Sequence, residues 1–250
     1  MNWLKAFLSS NWQSASANSA SSEIISAAKV PWRVEVVPGN RALEKVLALR
    51  LTEDESVPVA LGDDDDLDRT MEALEHNNAS TLEIVEAAES IDIQEWFKER
   101  VTEDPDYYAV DSEELAPGPQ PAQAKPLSLA FDVLSGAPKA KVHIALIPTT
   151  KPWEVPAHLK MGSWNECPEP EVHIALFRLW FERYGAVVTG VGPDTVEFSV
   201  ARPPESLEEA RVLAREQFIY CADIVHQGVQ SVENLARVLL KSGNWYFWWD

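Results

Sequence analysis

The alternation of two kinds of apolar segment along the chain constrains its fold more than any other feature. Short segments rich in Val, Ile and Ala, such as residues 57–61 and 141–147, are typical of buried strands. The segment that begins at Pro170 instead carries its apolar residues at spacings of three and four, which indicates a helix. A chain that alternates such segments is expected to fold as an α/β protein, with a mixed sheet flanked by helices.

Charge divides the sequence into two parts. Residues 1–120 contain 25 Asp and Glu against 9 Lys and Arg, whereas residues 121–250 contain 15 against 12. Pro and Gly residues, which interrupt helices, accumulate between the two parts. We therefore predict a mobile tail over residues 1–28, a smaller acidic N-terminal α/β region over residues 29–102, a Pro-rich linker over residues 103–126 and a C-terminal α/β domain over residues 127–250.

Periodicity and capping motifs predict the secondary structure of both parts. Capping boxes are expected where a Ser is followed three residues later by Glu, as at Ser80 and Ser206. The predicted N-terminal elements are strands at residues 32–37 and 57–61 and helices that begin near Ala42, Arg69, Ser80 and Asp92. The predicted C-terminal elements are strands at residues 127–134 and 141–147, a helix from Pro170, a hairpin of residues 186–191 and 195–200, a helix from Ser206 to about Gln227, a helix from Ser231 to near Gly243, and a strand at residues 244–249.

The composition argues against several classes of function. A formal net charge of −19 disfavours nucleic acids and anionic membranes, because both attract Lys and Arg rather than carboxylates. No segment approaches the roughly 20 apolar residues of a transmembrane helix. Two cysteines in 250 residues do not make a disulfide-rich secreted scaffold. We therefore expect a cytoplasmic protein, and the lack of glycine-rich phosphate and dinucleotide motifs predicts no cofactor.

The most unusual local composition lies just before the helix that begins at Pro170. Trp164, Asn165, Glu166 and Cys167 follow a Gly-Ser pair there, and loops on a rigid scaffold often carry function. A thiol ahead of a helix N-terminus can have a lowered pKa and act as a nucleophile. The alternative is structural, with Trp164 in the core, Asn165 stabilising the turn and Cys167 acting as a small buried apolar residue.

Two other segments supply side chains that could share a pocket with this turn. On the helix from Ser206, spacings of four, three and four place a polar stripe on one face, which either lines a pocket or faces solvent. At the end of the chain, five aromatic residues precede Asp250. The predicted pocket comprises Trp164, Asn165, Glu166, Cys167, Glu216, Gln217, Tyr220, Asp223, Gln227, Trp248 and Asp250.

Two residue sets approach known metal sites without matching them. The pairs Cys167 with His173 and Cys221 with His226 could supply four zinc ligands, but the short Cys-Cys or His-His spacing of zinc sites is missing. The acidic run before Arg69 resembles a calcium-binding loop, but Arg69 stands where that loop needs Gly. Acidic residues at a helix N-terminus stabilise the helix dipole without an ion, so no metal site is predicted.

The uncommon motifs of the C-terminal part follow one another in a specific order. They are Pro152-Trp153, residues 162–168, Tyr184-Gly185-Ala186, Arg202-Pro203-Pro204, residues 216–225, Gln227-Gly228 and residues 245–250. In this order they resemble the bacterial family known as domain of unknown function 4253, over about residues 141–250. The resemblance implies an intracellular bacterial protein and no established activity. The sequence departs from it at Ala222, where proline is expected, and at His226, where an acidic residue is expected, which makes His226 less suitable as a metal ligand.

Two classes of function remain. The favoured hypothesis is a non-enzymatic binding module, for example an immunity-type protein that neutralises a basic protein partner. The acidic first part would attract a cationic partner, and exposed tryptophans are good interface anchors, although the charge also serves ordinary solubility. The alternative is a hydrolase-like enzyme whose pocket uses Glu166 or Asp223 as general base and Asn165 as polarising donor, near Cys167. The sequence leaves the oligomeric state open.

Overall fold

A computed structural model describes residues 30–109 and 125–250, together with the backbone of Glu23–Ile24. Most of the predicted tail and of the predicted linker therefore lie outside the described residues. The described strands form one mixed sheet covered by helices, which confirms the predicted α/β class. They are β1 (Glu23–Ile24), β2 (Arg33–Val37), β3 (Val57–Ala60), β4 (Val142–Ile147), β5 (Ala186–Val191), β6 (Thr195–Val200) and β7 (Asn244–Trp248).

The order of the strands joins the two parts of the chain. Across the sheet the order is β1-β2-β4-β3-β5-β6-β7, so β3 of the acidic part lies between β4 and β5 of the C-terminal part. Among the described strands, β3 and β5 pair in parallel at Ala60 and Gly190, and the other neighbours are antiparallel. The charge boundary in the sequence therefore does not separate two sheets, because both parts contribute strands to a common sheet.

The helices begin largely where the capping motifs predict. Ser80 and Ser206 each form a complete capping box, and Asp63 forms a third one with Asp66. Pro170 occupies the first turn of its helix, where a missing N–H costs nothing. The helices are α1 (Gly39–Thr52), α2 (Asp64–His76), α3 (Thr81–Ala88), α4 (Ile93–Glu103), α5 (Val155–Leu159), α6 (Pro170–Tyr184), α7 (Leu207–Tyr220) and α8 (Val232–Leu239), with a π-helical turn at Ile224–Val229.

An aromatic cluster forms the core between α6, α7 and the sheet. The Trp180 ring is fully buried and stacks on Phe247 of β7, with ring centroids 5.5 Å apart. Phe177 meets Phe198 of β6 edge to face at 4.7 Å, and Tyr220 meets Trp180 in the same way at 5.3 Å. The aromatic end of the chain thus serves mainly as core, because each such ring removes a large apolar area from water.

Several predicted elements are wrong. The segment predicted as a strand at residues 127–134 instead contains the 3₁₀ turn Ser128–Ala130, because Leu127 adopts φ 54° and the buried Glu197 carboxylate binds the following backbone N–H groups. The helix predicted to run from Ser206 to about Gln227 ends at Tyr220, and Cys221 is extended. Other boundaries also differ: α2 begins before Arg69, α8 ends at Leu239, and Glu23–Ile24, placed in the predicted tail, pairs with β2.

Candidate functional site

The turn that contains Trp164 and Asn165 meets both the end of α7 and the end of the chain. The Asn165 side-chain amide donates to the Asp250 carbonyl at 2.9 Å, and the Asp250 backbone N–H donates to the Asp223 carboxylate at 3.1 Å. The Trp164 and Trp249 rings meet edge to face with centroids 6.4 Å apart. Three segments far apart in sequence are therefore linked at one place on the surface.

The backbone of this turn is held in an uncommon conformation. Gly162 has φ 106°, while Ser163 and Asn165 also have positive φ values. Hydrogen bonds close the turn, from Ser163 N–H to the Pro168 carbonyl at 3.1 Å and from Cys167 N–H to the Trp164 carbonyl at 2.9 Å. A Cβ on Gly162 would lie 1.9 Å from the Pro168 oxygen, so glycine is required for this close approach.

A buried polar chain connects the turn to α6 and α7. His173 Nδ1 lies 2.8 Å from the Tyr220 hydroxyl, and His173 Nε2 lies 3.5 Å from the Cys167 thiol. The ring also donates to the Pro168 carbonyl, so Tyr220 is the donor to Nδ1. Burial lowers the pKa of His173 to about 3 and raises the pKa of Tyr220 well above its usual value. The histidine is neutral at physiological pH and serves as an internal hydrogen-bond partner.

Neither cysteine has the environment of an activated nucleophile. Cys167 and Cys221 are both buried and free, and burial raises the pKa of each thiol. Cys221 also contributes to the raised pKa of Cys167, and both cysteines contribute to the raised pKa of Tyr220. The Cys221 thiol donates to the Trp248 carbonyl at 2.9 Å. Because the thiolate is the reactive form, both residues fit the structural alternative better than catalysis.

A cleft of about 520 Å³ opens beside the linked segments. One wall is the outward face of α2, with Arg69, Glu72 and His76. The turn, the loop between β5 and β6 and the end of the chain also line the cleft. These three segments contribute Trp164, Asn165, Asp194, Trp249 and Asp250. Of these, Asp194 and Trp249 are absent from the predicted pocket.

A second cavity, of about 380 Å³, is lined in part by Glu166 of the same turn. It is lined by α4 and the residues that follow it, together with Glu166. Arg100 pairs with Glu166 at 3.0 Å and donates to the Tyr108 hydroxyl at 3.1 Å. The Tyr107 and Tyr108 rings meet edge to face at 5.0 Å. The sequence analysis did not predict this cavity, and the adjacent tyrosines after α4 are the feature that could have indicated it.

The remaining predicted pocket residues do not converge on the cleft. Glu216 pairs with Arg183 at 2.6 Å, away from the turn, and Gln217 is buried. Gln227 lies beyond the end of α7, where it donates to Asp223 at 3.1 Å. The polar stripe predicted along one helix is therefore interrupted after Tyr220. Of the predicted set, Trp164, Asn165 and Asp250 line the cleft, Glu166 lines the second cavity, and Cys167, Tyr220 and Trp248 belong to the packing behind them.

Three carboxylates of the acidic run that begins at Asp63 are engaged in hydrogen bonds and ion pairs with other parts of the chain. Asp63 and Asp66 cap α2 and pair with Lys139, at 2.9 and 2.6 Å. Asp64 accepts from the buried His143 ring at 2.6 Å and lies 3.7 Å from Lys141. These bonds lower the pKa of Asp64, chiefly through His143. The run stabilises the start of α2, as the dipole argument predicts.

The acidic helices nevertheless carry a strong exposed charge. Residues 63–106, which span α2 to α4, contain 16 Asp and Glu against 3 Lys and Arg, a formal net charge of −13. Glu75, Glu86, Glu99 and Glu103 are exposed on these helices. The acidic helices contribute to both cavities, because α2 lines the cleft and α4 lines the second cavity. Two-thirds of the net charge of the chain is concentrated there.

Two other findings bear on the predicted absences. Within residues 30–109 and 125–250, no group of three His, Cys, Asp or Glu side chains is arranged to hold a metal ion. His226, considered as a zinc ligand, instead packs against Tyr107 and Phe218, with ring centroids at 4.8 and 5.2 Å. The helices of this described part are also too short or too polar to cross a bilayer.

These observations define an α/β protein with one mixed sheet and a cleft between an acidic helix and a tryptophan-bearing turn. Residues 143–250 match the family model described as Domain of unknown function (DUF4253), which confirms the resemblance over the C-terminal part. The matched region contains every residue of the predicted pocket. No curated protein and no solved structure matches the chain.

Proposed function

We propose that this protein is a non-catalytic binding module that docks a basic protein partner, in the manner of an immunity protein, on the acidic surface of α2 to α4. The observation that carries the proposal is the net charge of −13 over residues 63–106. A field of this strength attracts a cationic partner and accelerates encounter, with a range of about 8 Å at physiological ionic strength.

The surroundings of the turn support the same proposal. Trp164 is partly exposed and lines the cleft walled by α2, and Glu166 of the same turn lines the cavity walled by α4. Interfaces are typically anchored by a few aromatic side chains in or beside pockets, with charged residues around them. The turn would be the centre of the interface, and the exposed carboxylates of the helices would form its rim.

The contacts of the polar residues favour binding over the hydrolase hypothesis. The proposed general base Glu166 is paired with Arg100 at 3.0 Å. The other candidate, Asp223, accepts from Gln227 and from the Asp250 backbone. A general base needs a free lone pair within reach of a substrate proton, and a nucleophilic cysteine needs a lowered pKa. Individually satisfied groups beside a broad acidic face are the arrangement expected of a binding surface.

The test begins with affinity capture from an extract of the source cell, followed by purification of the captured protein and calorimetric titration of the pair. Three forms of the full chain are compared: wild type, an acidic-face variant and a matched control. The acidic-face variant is Glu75→Gln, Glu86→Gln, Glu99→Gln and Glu103→Gln. The control, outside the three helices, is Asp54→Asn, Glu55→Gln, Glu205→Gln and Glu208→Gln.

A basic partner is expected whose Kd rises about tenfold or more in the acidic-face variant and stays within about twofold in the control. The Kd of the wild-type pair should also rise as the salt concentration increases from about 0.05 to about 0.3 M. A partner that binds the acidic-face variant as tightly as wild type would overturn the proposal, as would the capture of acidic or neutral proteins alone. The Asp63–Asp66 run is left intact because neutralising it would destabilise α2.

A further inference from the structure

We infer that the N-terminal segment of residues 3–12 docks in a trough between α1 and the strands β6 and β7, on the face of the sheet opposite the acidic helices. The trough is lined by Leu43, Leu47, Leu51, Ser199, Tyr246 and Trp248. This docking is independent of the proposed function, because α2 and α4 contribute Leu67 and Phe97 to the core on the other face of the sheet.

One wall of the trough is an apolar flank of α1. Leu43, Leu47 and Leu51 follow one another at spacings of four residues, which places them along one side of the helix. Leu43 and Leu47 are partly exposed, and Leu51 is 48% exposed. Arg50 lies on the same side, three residues after Leu47, and its guanidinium donates to the Ser199 hydroxyl of β6 at 2.8 Å. This flank of α1 therefore faces β6.

The floor of the trough is the second face of β6 and β7. Phe198 and Phe247 are buried in the aromatic core, so the alternate residues of the two strands point to the opposite face, toward α1. Of these alternate residues, Ser199, Tyr246 and Trp248 are partly exposed, and the rings of Tyr246 and Trp248 stack with centroids 6.0 Å apart. A leucine wall beside an aromatic floor is a surface suited to an apolar occupant.

The sequence of residues 3–12, which lie outside the described residues, supplies a matching apolar face. At about 100° per residue of a helix, one half of the circumference carries Asn11 and every apolar residue of the segment except Ala6. These apolar residues are Trp3, Leu4, Phe7, Leu8 and Trp12. Residues 1–22 contain no Asp or Glu, so docking adds no negative charge to the surface of a chain whose net charge is −19.

The place where the segment joins the sheet puts the trough within its reach. Glu23 pairs with Val36 of β2, and α1 begins at Gly39 soon after. Residues 13–22 separate the segment from Glu23, and an extended chain of that length spans up to about 33 Å. Five strand spacings of about 4.8 Å, or about 24 Å in all, separate β1 from β6. The tether is therefore long enough, and residues 3–12 as a helix of about 15 Å would fit along α1.

Engineered disulfides in the full chain test the contact. Leu8→Cys is combined with Leu47→Cys, and the product formed with oxidised glutathione is followed by non-reducing electrophoresis and mass spectrometry. Two matched controls change one partner each. Ser9→Cys with Leu47→Cys uses the polar side of the segment, and Leu8→Cys with Ala48→Cys uses the exposed side of α1.

An intramolecular disulfide should form at least about tenfold faster in the first pair than in either control. Docking holds its two thiols together, whereas the tether alone gives all three pairs a similar effective concentration. The native thiols of Cys167 and Cys221 are buried, and burial raises their pKa, so they react slowly with the oxidant. Equal rates in the three pairs would overturn the inference. A disulfide that forms only between two chains would also overturn it and assign the trough to a second copy.

A second measurement changes only the segment and leaves every described residue as it is. Leu4→Asp with Leu8→Asp places two charges on the apolar half of the segment, and Asn2→Asp with Ser9→Asp places the same charge on the polar half. The first variant should bind about threefold more of the neutral dye Nile red than wild type, because the trough becomes accessible, while the second stays within about twofold of wild type. Equal dye binding by wild type and the first variant would contradict docking.

Discussion

Mild acidification is expected to destabilise this protein through His173. Burial lowers the pKa of His173 to about 3 in the folded chain, whereas an unfolded histidine titrates near 6.5. Between these two values the unfolded chain takes up a proton that the folded chain does not bind. The stability associated with the neutral ring is therefore present above about pH 6.5 and is lost as the pH falls toward 3.

The size of the effect follows from the same two pKa values. Between about pH 7 and about pH 5.5, protonation of the unfolded state costs roughly 1.2 kcal/mol of the free energy of unfolding. For a chain of this size that corresponds to a fall in Tm of about 2–5 °C. Most carboxylates remain ionised in this interval, so the histidines dominate the change. Urea unfolding monitored by tryptophan fluorescence at several pH values measures it.

The variant His173→Gln isolates this contribution, because the glutamine oxygen can still accept from the Tyr220 hydroxyl. Between about pH 7 and about pH 5.5, its free energy of unfolding should fall by about 1.2 kcal/mol less than that of wild type. His158→Gln is the control: burial also lowers the pKa of His158, but that side chain is only half-buried. Parallel pH profiles for wild type and His173→Gln would refute the assignment of a neutral, buried His173.

Two stability predictions concern positions that hold irregular segments in place. Gly162→Ala should lower the free energy of unfolding in urea by about 2–4 kcal/mol, because its Cβ would collide with the Pro168 oxygen at a positive φ. The Cβ of the control Gly136→Ala meets no backbone atom, so that variant should lose only about 1 kcal/mol. Equal losses in the two variants would contradict this account. Glu197→Ala should lower the free energy of unfolding by about 2–4 kcal/mol, because it leaves buried backbone N–H groups without an acceptor. The surface control Glu205→Ala should change the free energy of unfolding by less than about 0.5 kcal/mol.

Local sequence patterns predicted the elements that depend on neighbouring residues. The hairpin of β5 and β6, the helix start at Pro170 and the capping box at Ser206 require only a few adjacent side chains. The strand predicted at residues 127–134 was wrong because the Glu197 carboxylate on β6, far away in sequence, accepts hydrogen bonds from backbone N–H groups of that segment and fixes it as a turn. The position of β3 within the sheet likewise depends on pairing over a long sequence distance, which periodicity does not encode.

The candidate site shows the same limit. Its unusual turn, from Trp164 to Cys167, was apparent from composition alone, and so was the aromatic end of the chain. The contribution of Asp194 was not apparent from the sequence. A Pro-Asp loop in a hairpin is common, and only the pairing of strands in the sheet brings Asp194 beside Trp249. Glu216 was misplaced for a related reason, since helical spacing defines a face but not the element against which that face packs.

The insertion of β3 between β4 and β5 has a consequence for how the matched region can exist. A fragment limited to residues 143–250 would lack β2 and β3, the two neighbours of β4, and would leave both sides of β4 and one side of β5 without hydrogen-bonding partners. Such a fragment would need these strands supplied in trans to complete the sheet. A chain cleaved between residues 109 and 125 is therefore suited to reassembly from its two fragments, and recovery of the complete sheet would report their association.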